Sequence, residues 1–483
     1  VRAVLFRGSA DLIPLYALYA LLFADHGLST AQISGLLAIW STTSFLLEVP
    51  SGAWADTVSR RGLLILSGVL LVAGFAMWTV FPSYLGFALG FVLWGTSGAL
   101  MSGTFEALVY DELAARGETS DYPRIMGCTR AASESAALIA IVAAAPLFAW
   151  GGYALVGWTS VAIAGLHALL ACTLPSAPKV VSAEEAQELA ESDDGAESAD
   201  ADPVGLLGDR GSVASVPVDA GVDSGLEPSG TTGAKAAAAG KTGAADNGMT
   251  GAVAAETTVP VRAGGSAIAR YLLMLRTGLR EAVRVKAVRH GVFLASVLYG
   301  MTAFDEYFAL LAGDAGVTPS VTALLVALTV MGALVGSALA GRTEAMRART
   351  MATALAIGGV LFIAGALLAG LAVHRPEAVY PLTALGFSAI GIAYGIVYNA
   401  GVVASARLQD AIEGPARATV TSVSGLLEEV FSLAVFGFVA LASLWLPIAP
   451  IVALLGVPML VAAVLVPAWL PPRSGESRGN GAA

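Results

Sequence analysis

Twelve separate stretches of about twenty predominantly apolar residues run through this chain, each long enough to cross the hydrocarbon core of a bilayer. They lie at roughly 4–24, 31–50, 62–81, 84–109, 126–149 and 153–174, then at 291–312, 319–340, 350–373, 379–404, 419–442 and 451–470. The connections are short and carry turn chemistry, as in Asp25-His26-Gly27, Phe81-Pro82-Ser83 and Trp150-Gly151-Gly152. A soluble bundle of this size needs a polar outer face on its helices, and most of these segments have none. Composition agrees: 56% of the residues are apolar and 13% charged, against about a quarter charged in a globular domain. The expected fold is all-α and integral to the membrane, with twelve transmembrane helices in two six-helix bundles.

The charge is unevenly placed. The whole chain carries 26 basic and 36 acidic residues, a net of −10, but residues 182–260 alone hold 15 acidic and 3 basic. Residues 180–265 contain no aromatic residue, so they cannot bury enough apolar surface to offset chain entropy. They read as a disordered acidic linker. Residues 266–290 then set six basic residues, Arg270 to Arg289, among Tyr271, Leu272, Leu275, Leu279, Val283 and Val288. That is the pattern of a basic amphipathic helix lying on an anionic leaflet or leading into the next span. The expected organisation is a first bundle over 1–174, the linker over 175–265, the basic helix over 266–290, a second bundle over 291–470 and a tail over 471–483.

Basic residues set the orientation. With the N-terminus inside, Arg60, Arg61, Arg342, Arg347, Arg349, Arg407 and Arg417 all fall on the inner side, and Arg375 alone lies in an outer loop. Both termini and the linker are therefore expected in the cytoplasm. No small-residue cleavage site follows the first span, so no cleaved signal peptide is expected. Arginine outnumbers lysine 22 to 4, which suggests a GC-rich bacterial source and an inner-membrane location. Acidic balance excludes nucleic acid as a default partner, and membrane lipids and a monomeric state are expected. Two cysteines and four scattered histidines offer neither a disulfide framework nor a metal site, and no cofactor is expected.

The two sets of six echo each other. Asp25-His26-Gly27-Leu28-Ser29 recurs as Asp314-Ala315-Gly316-Val317-Thr318, 289 positions on, and Gly127-Cys128-Thr129-Arg130-Ala131 recurs as Gly414-Pro415-Ala416-Arg417-Ala418, 287 on. Near-equal offsets at the positions a six-span duplication requires indicate a parallel repeat about an axis along the membrane normal.

Between spans two and three stands Gly52-Ala53-Trp54-Ala55-Asp56-Thr57-Val58-Ser59-Arg60-Arg61. It resembles the G-x-L-A-D-[RK]-x-G-R-[RK] signature of the major facilitator superfamily. Gly52, Ala55, Asp56, Arg60 and Arg61 match, while Trp54, Thr57 and Ser59 depart from it. The second-half counterpart near Gly336–Arg349 keeps Ala340 and flanking arginines and lacks the Asp. The resemblance implies a conformational latch, with Asp56 facing the inner end of span eleven and pairing with nearby basic residues. The positive N-terminus of that helix would favour it. Glu48, beside the latch, reads as a partner of the Arg60–Arg61 region. Leu47-Glu48-Val49-Pro50-Ser51-Gly52 and Glu106-Ala107-Leu108-Val109-Tyr110-Asp111-Glu112-Leu113 resemble a bacterial subgroup labelled as drug efflux.

Ionisable groups at membrane depth are costly and mark cavities, pairs or proton paths. Here they are Asp11, Glu48, Glu106, Arg130, Glu134, Asp305, Glu306, Glu428 and Glu429. Arg130 and Glu134 are spaced to pair on one helix face. Asp11 lies on a helix loosened by Pro14. Glu428 and Glu429 point about 100° apart, so both cannot face one cavity centre. In the family fold spans one, four, seven and ten line the pathway, which implies cavity roles for Asp11 and for Asp305 or Glu306, with Glu134 and Glu428 flanking. Tyr394, Tyr398 and Asn399 of span ten would add aromatic and hydrogen-bonding surface.

The driving force is expected to be the proton. Gly240-Lys241-Thr242 copies the end of a nucleotide-binding loop, but Lys235 stands where the first glycine belongs, and no strand precedes it. No nucleophile, base and orienter set is present, so an enzyme is not expected. Acids outnumber arginines in the spans, favouring a cationic or neutral amphipathic small molecule. Proton-coupled efflux is the expected function, with proton-coupled uptake of a metabolite as the alternative and a non-transporting receptor as a third reading.

Overall fold

The structure, a computed structural model, describes residues 1–176, 285–412 and 417–472. The acidic linker and most of the basic helix lie outside the described residues. Among those residues the fold is all-helical, and ten stretches are long and apolar enough to span a membrane. One of them, Thr119–Ala171, has 53 residues and would reach roughly 80 Å if straight. It turns back at Gly151 and Gly152, whose backbone is non-helical, and so supplies spans five and six. Span two, Thr30–Thr57, adds 28 residues of helix. With these two the described residues hold twelve passes. Span seven starts earlier than its apolar run suggests, at Lys286, because a basic first turn is compatible with helix at the membrane surface.

The internal repeat has a local physical cause. Gly27 and Gly316 occupy the same left-handed conformation, φ 86° and 87°, which glycine adopts without a Cβ penalty. Two residues later Ser29 and Thr318 cap the next span, accepting from the backbone N–H of Gln32 and Val321. Asp-x-Gly-x-Ser/Thr is thus a complete stop-and-start signal, used once in each half.

The end of the molecule that carries these two turns is called outer here, and the end with the 57–60 turn inner. Trp150 and Trp445 project at the outer end, 80% and 73% exposed, where indole suits a headgroup layer. Within each bundle the buried centre is aromatic. Trp78, Phe23, Phe87 and Phe91 pack together in the first, and Phe304, Phe308, Phe362 and Phe387 in the second. The bundles meet where span two packs on eleven, span five on eight, and the outer half of span one on that of seven.

Candidate functional site

Three spans break where they reach the interior. Span one is helical over Arg2–Ala10, leaves the helix at Asp11, forms a 3-10 turn over Pro14–Ala17 and resumes at Tyr19. Pro14 supplies no N–H and disfavours a continuous helix. Span seven tightens to 3-10 over Met301–Tyr307, which covers the positions 289 beyond Pro14–Ala17. Span four stops at Met101 and restarts at Thr104, with Gly103 at φ 70° between. Asp11, Asp305 and Glu306 therefore sit on irregular segments, and Glu106 in the first turn after one.

The partners of each acid sort them. Asp11 takes Arg7 at 3.2 Å and the hydroxyl of Ser133 from span five. Glu134 takes Arg130 at 3.1 Å. Asp305 accepts from the Tyr394 hydroxyl at 2.5 Å, and Glu306 from Tyr19 of the other bundle. Glu429 accepts from Ser41 at 2.5 Å, and Glu428 is the neighbouring position on the helix. One carboxyl oxygen of Glu106 is buried with no hydrogen-bond partner.

Several polar contacts join the bundles toward the outer end. Tyr19 bonds Glu306, Ser34 meets Tyr307 at 2.9 Å, and Ser320 donates to the Ala145 carbonyl at 2.9 Å. Leu21 fits so closely on Gly313 that an added Cβ would fall 2.4 Å from its methyl. Toward the inner end a polar cavity of about 590 Å³ opens, lined by Arg7, Glu106, Thr129, Arg130, Ser133 and Glu134. The cavity is lined by residues of spans one, four and five. Elsewhere in the first bundle half-buried rings stack, Tyr16 on Trp94 and Trp94 on Trp40, both with centroids 5.0 Å apart. Tyr398 meets Tyr394 edge-on at 4.9 Å.

Some expected residues take other places. Asn399 is spent between spans ten and eight: its amide donates to the Gly336 carbonyl at 3.0 Å and pairs with Thr343. Glu48 accepts from Ser102 at 3.2 Å, whereas Arg60 pairs with buried Asp111 and Arg61 donates to the Cys172 carbonyl. The two motif arginines thus tie the turn to spans four and six of their own bundle. Gly52 is exposed, with open space around it. The side chain of Asp56 lies outside the described residues. In the second half buried Arg407 of span ten donates to the carbonyls of Glu344 (3.0 Å) and Met346 (2.5 Å), so the equivalent turn is held from the opposite direction, by an arginine reaching into it.

Arg7, Ser133, Tyr16, Trp40, Trp94 and Asp111 are additions to the sequence-derived set. The spacing of Arg7 and Asp11 was a usable signal, the same i,i+4 relation that links Arg130 to Glu134. The aromatic residues carried none, because a ring at helical spacing packs or lines a cavity with the same pattern.

The sequence matches the Major Facilitator Superfamily over residues 3–427. The chain belongs to that family: it is a multi-pass membrane transporter and not an enzyme. Solved structures with a similar fold include a point mutant of the nucleoside transporter NupG, at TM-score 0.63 and 11% identity, covering 97% of this chain and 98% of that one. A D-xylose–proton symporter is similar at TM-score 0.56 and 15% identity, over 97% and 96%. A POT family transporter in complex with a thioalcohol-conjugated peptide reaches 0.55 at 12% identity, over 96% and 94%. At these identities the likeness concerns the fold alone. No curated protein matches the chain by sequence.

Proposed function

We propose that this transporter exports a small lipophilic cationic or neutral compound in exchange for protons, by rocking of the two bundles about the interior. The observation that carries this reading is the balance of the interior. The spans carry Asp11, Glu106, Glu134, Asp305, Glu306 and Glu428 against two arginines, and Arg7 and Arg130 are each already committed to an acid one helical turn away. Little positive charge remains to hold an anion, whereas the Tyr16–Trp94–Trp40 stack suits a flat or cationic body. Proton-coupled uptake uses the same parts in the opposite direction. Proteoliposomes carrying a pH-sensitive dye separate the two: under an inward proton gradient, export moves substrate out against the gradient and uptake moves it in. Substrate flux indifferent to the gradient would remove both and leave a uniporter.

The orientation belongs to the same proposal, with both termini and residues 175–290 in the cytoplasm of a bacterial inner membrane. A cysteine placed at Gly195, in a background lacking Cys128 and Cys172, should resist an impermeant thiol reagent in intact cells and react after lysis. Labelling from outside would invert the assignment. Asp56 remains the proposed latch to span eleven. D56N should insert normally, slow turnover and widen inner-side label distances toward the inward-open state, and an unchanged distance distribution would take Asp56 out of the mechanism.

A further inference from the structure

Spans eight and ten touch through glycine. A Cβ added at Gly332 or Gly336 would fall 2.0 Å from the carbonyl oxygen of Gly391 or Gly395, the close approach that small residues allow inside membranes. With no side chains at the contact, the flanking ridges stand apart. An apolar groove of about 520 Å³ runs between them, reached also by Met351 and Ala354 of span nine. It opens on the lateral face of the bundle, where Leu328, Met331, Val335, Leu339 and Ile392 are 39–57% exposed. Its inner end closes on the Thr343–Asn399 pair and on Met346.

Beside that end, in the turn between spans eight and nine, stand Arg342, Arg347 and Arg349, all exposed. No ion pair is described for any of them, and Glu344 is the one acid in residues 341–350. Arg347 and Arg349 occupy the start of the helix Ala348–Leu371, which has no acidic residue in its first turn and whose dipole disfavours cations there. The turn is fixed in place from below, because buried Arg407 holds the carbonyls of Glu344 and Met346.

We propose that the groove and the three arginines form a site for one anionic phospholipid, with an acyl chain in the groove and the phosphate on Arg342, Arg347 and Arg349. A soluble anion would use the arginines and leave the groove. A zwitterionic lipid would fill the groove but bring its own ammonium to a cationic rim. An anionic lipid answers both halves of the site. All the residues belong to spans eight, nine and ten, so the lipid travels with one bundle.

The full-length protein in mild detergent should be titrated with phosphatidylglycerol and with phosphatidylcholine of matched chains, occupancy being read by native mass spectrometry. Each arginine near a membrane surface contributes roughly fivefold to anionic lipid binding, so phosphatidylglycerol should bind at least about tenfold tighter. R342Q/R347Q/R349Q should bring the two lipids level. A354F, which fills the groove and leaves the arginines, should weaken both lipids, and glycerol phosphate without chains should not compete. Equal binding of the two lipids to the unaltered protein would overturn the site. So would a preference that survives the triple variant, or competition by glycerol phosphate as strong as by lipid.

Discussion

Uphill transport should be abolished in D305N, E306Q and E428Q, and should survive in weakened form in D11N and E134Q. The difference lies in what each acid touches. Protonating Asp11 or Glu134 would break an existing ion pair, with Arg7 at a part-buried site or with Arg130 at a largely exposed one. Asp305 and Glu306 are bonded to tyrosine hydroxyls, which can donate to a carboxylate or accept from a carboxylic acid, so either protonation state finds a partner. Glu428 has no arginine beside it in a described ion pair. Downhill exchange of substrate should persist in the three coupling variants, because the aromatic walls are untouched.

Glu306 carries a second consequence. Its bond to Tyr19 joins the bundles across the outer seal, and a bond to a charged acceptor is worth about 1 kcal/mol more than a neutral one. E306Q should therefore shift the resting population toward outward-open by roughly fivefold, read as altered distances between outer-side label pairs. Uphill transport retained in D305N, E306Q and E428Q but lost in D11N or E134Q would reverse this assignment.

Much of this architecture is legible from the chain. The spans are written in apolar runs, and the repeat is written in Asp-x-Gly-x-Ser/Thr because a left-handed glycine followed by a hydroxyl cap is a local device. Pro14 announces the break in span one for an equally local reason. The matching break in span seven is silent, since Met301–Tyr307, which packs on span eleven, contains no proline or glycine. Facing is silent too. Asn399 looks like a pathway residue by type and position, yet five residues turn the helix by a net of about 140°, which separates Tyr394 from an amide that staples span ten to span eight. Partners far apart in sequence are the least legible: nothing in Arg60 or in Asp111, 51 residues later, advertises that they meet.

That meeting sets the largest stability effect expected outside the apolar core. The side chains of Arg60 and Asp111 are 14% and 7% exposed, so D111A removes a carboxylate that pairs with a buried guanidinium, a loss of up to about 3–5 kcal/mol. Arg130 and Glu134 offer the control, a pair of the same chemistry at 71% and 36% exposure, where E134A should cost less than about 1 kcal/mol. Thermal unfolding in detergent, followed by tryptophan fluorescence, should place D111A well below E134A. Removing both charges in R60L/D111L should restore much of the loss, because a buried pair replaced by apolar groups of similar volume is often near neutral. Transport should not recover with it if Arg60 also serves the motif turn, since a stable fold and a working turn then make different demands on the same residue. D111A as stable as E134A would mean that the buried pair does not hold span four to the 57–60 turn, and that the motif arginine acts elsewhere.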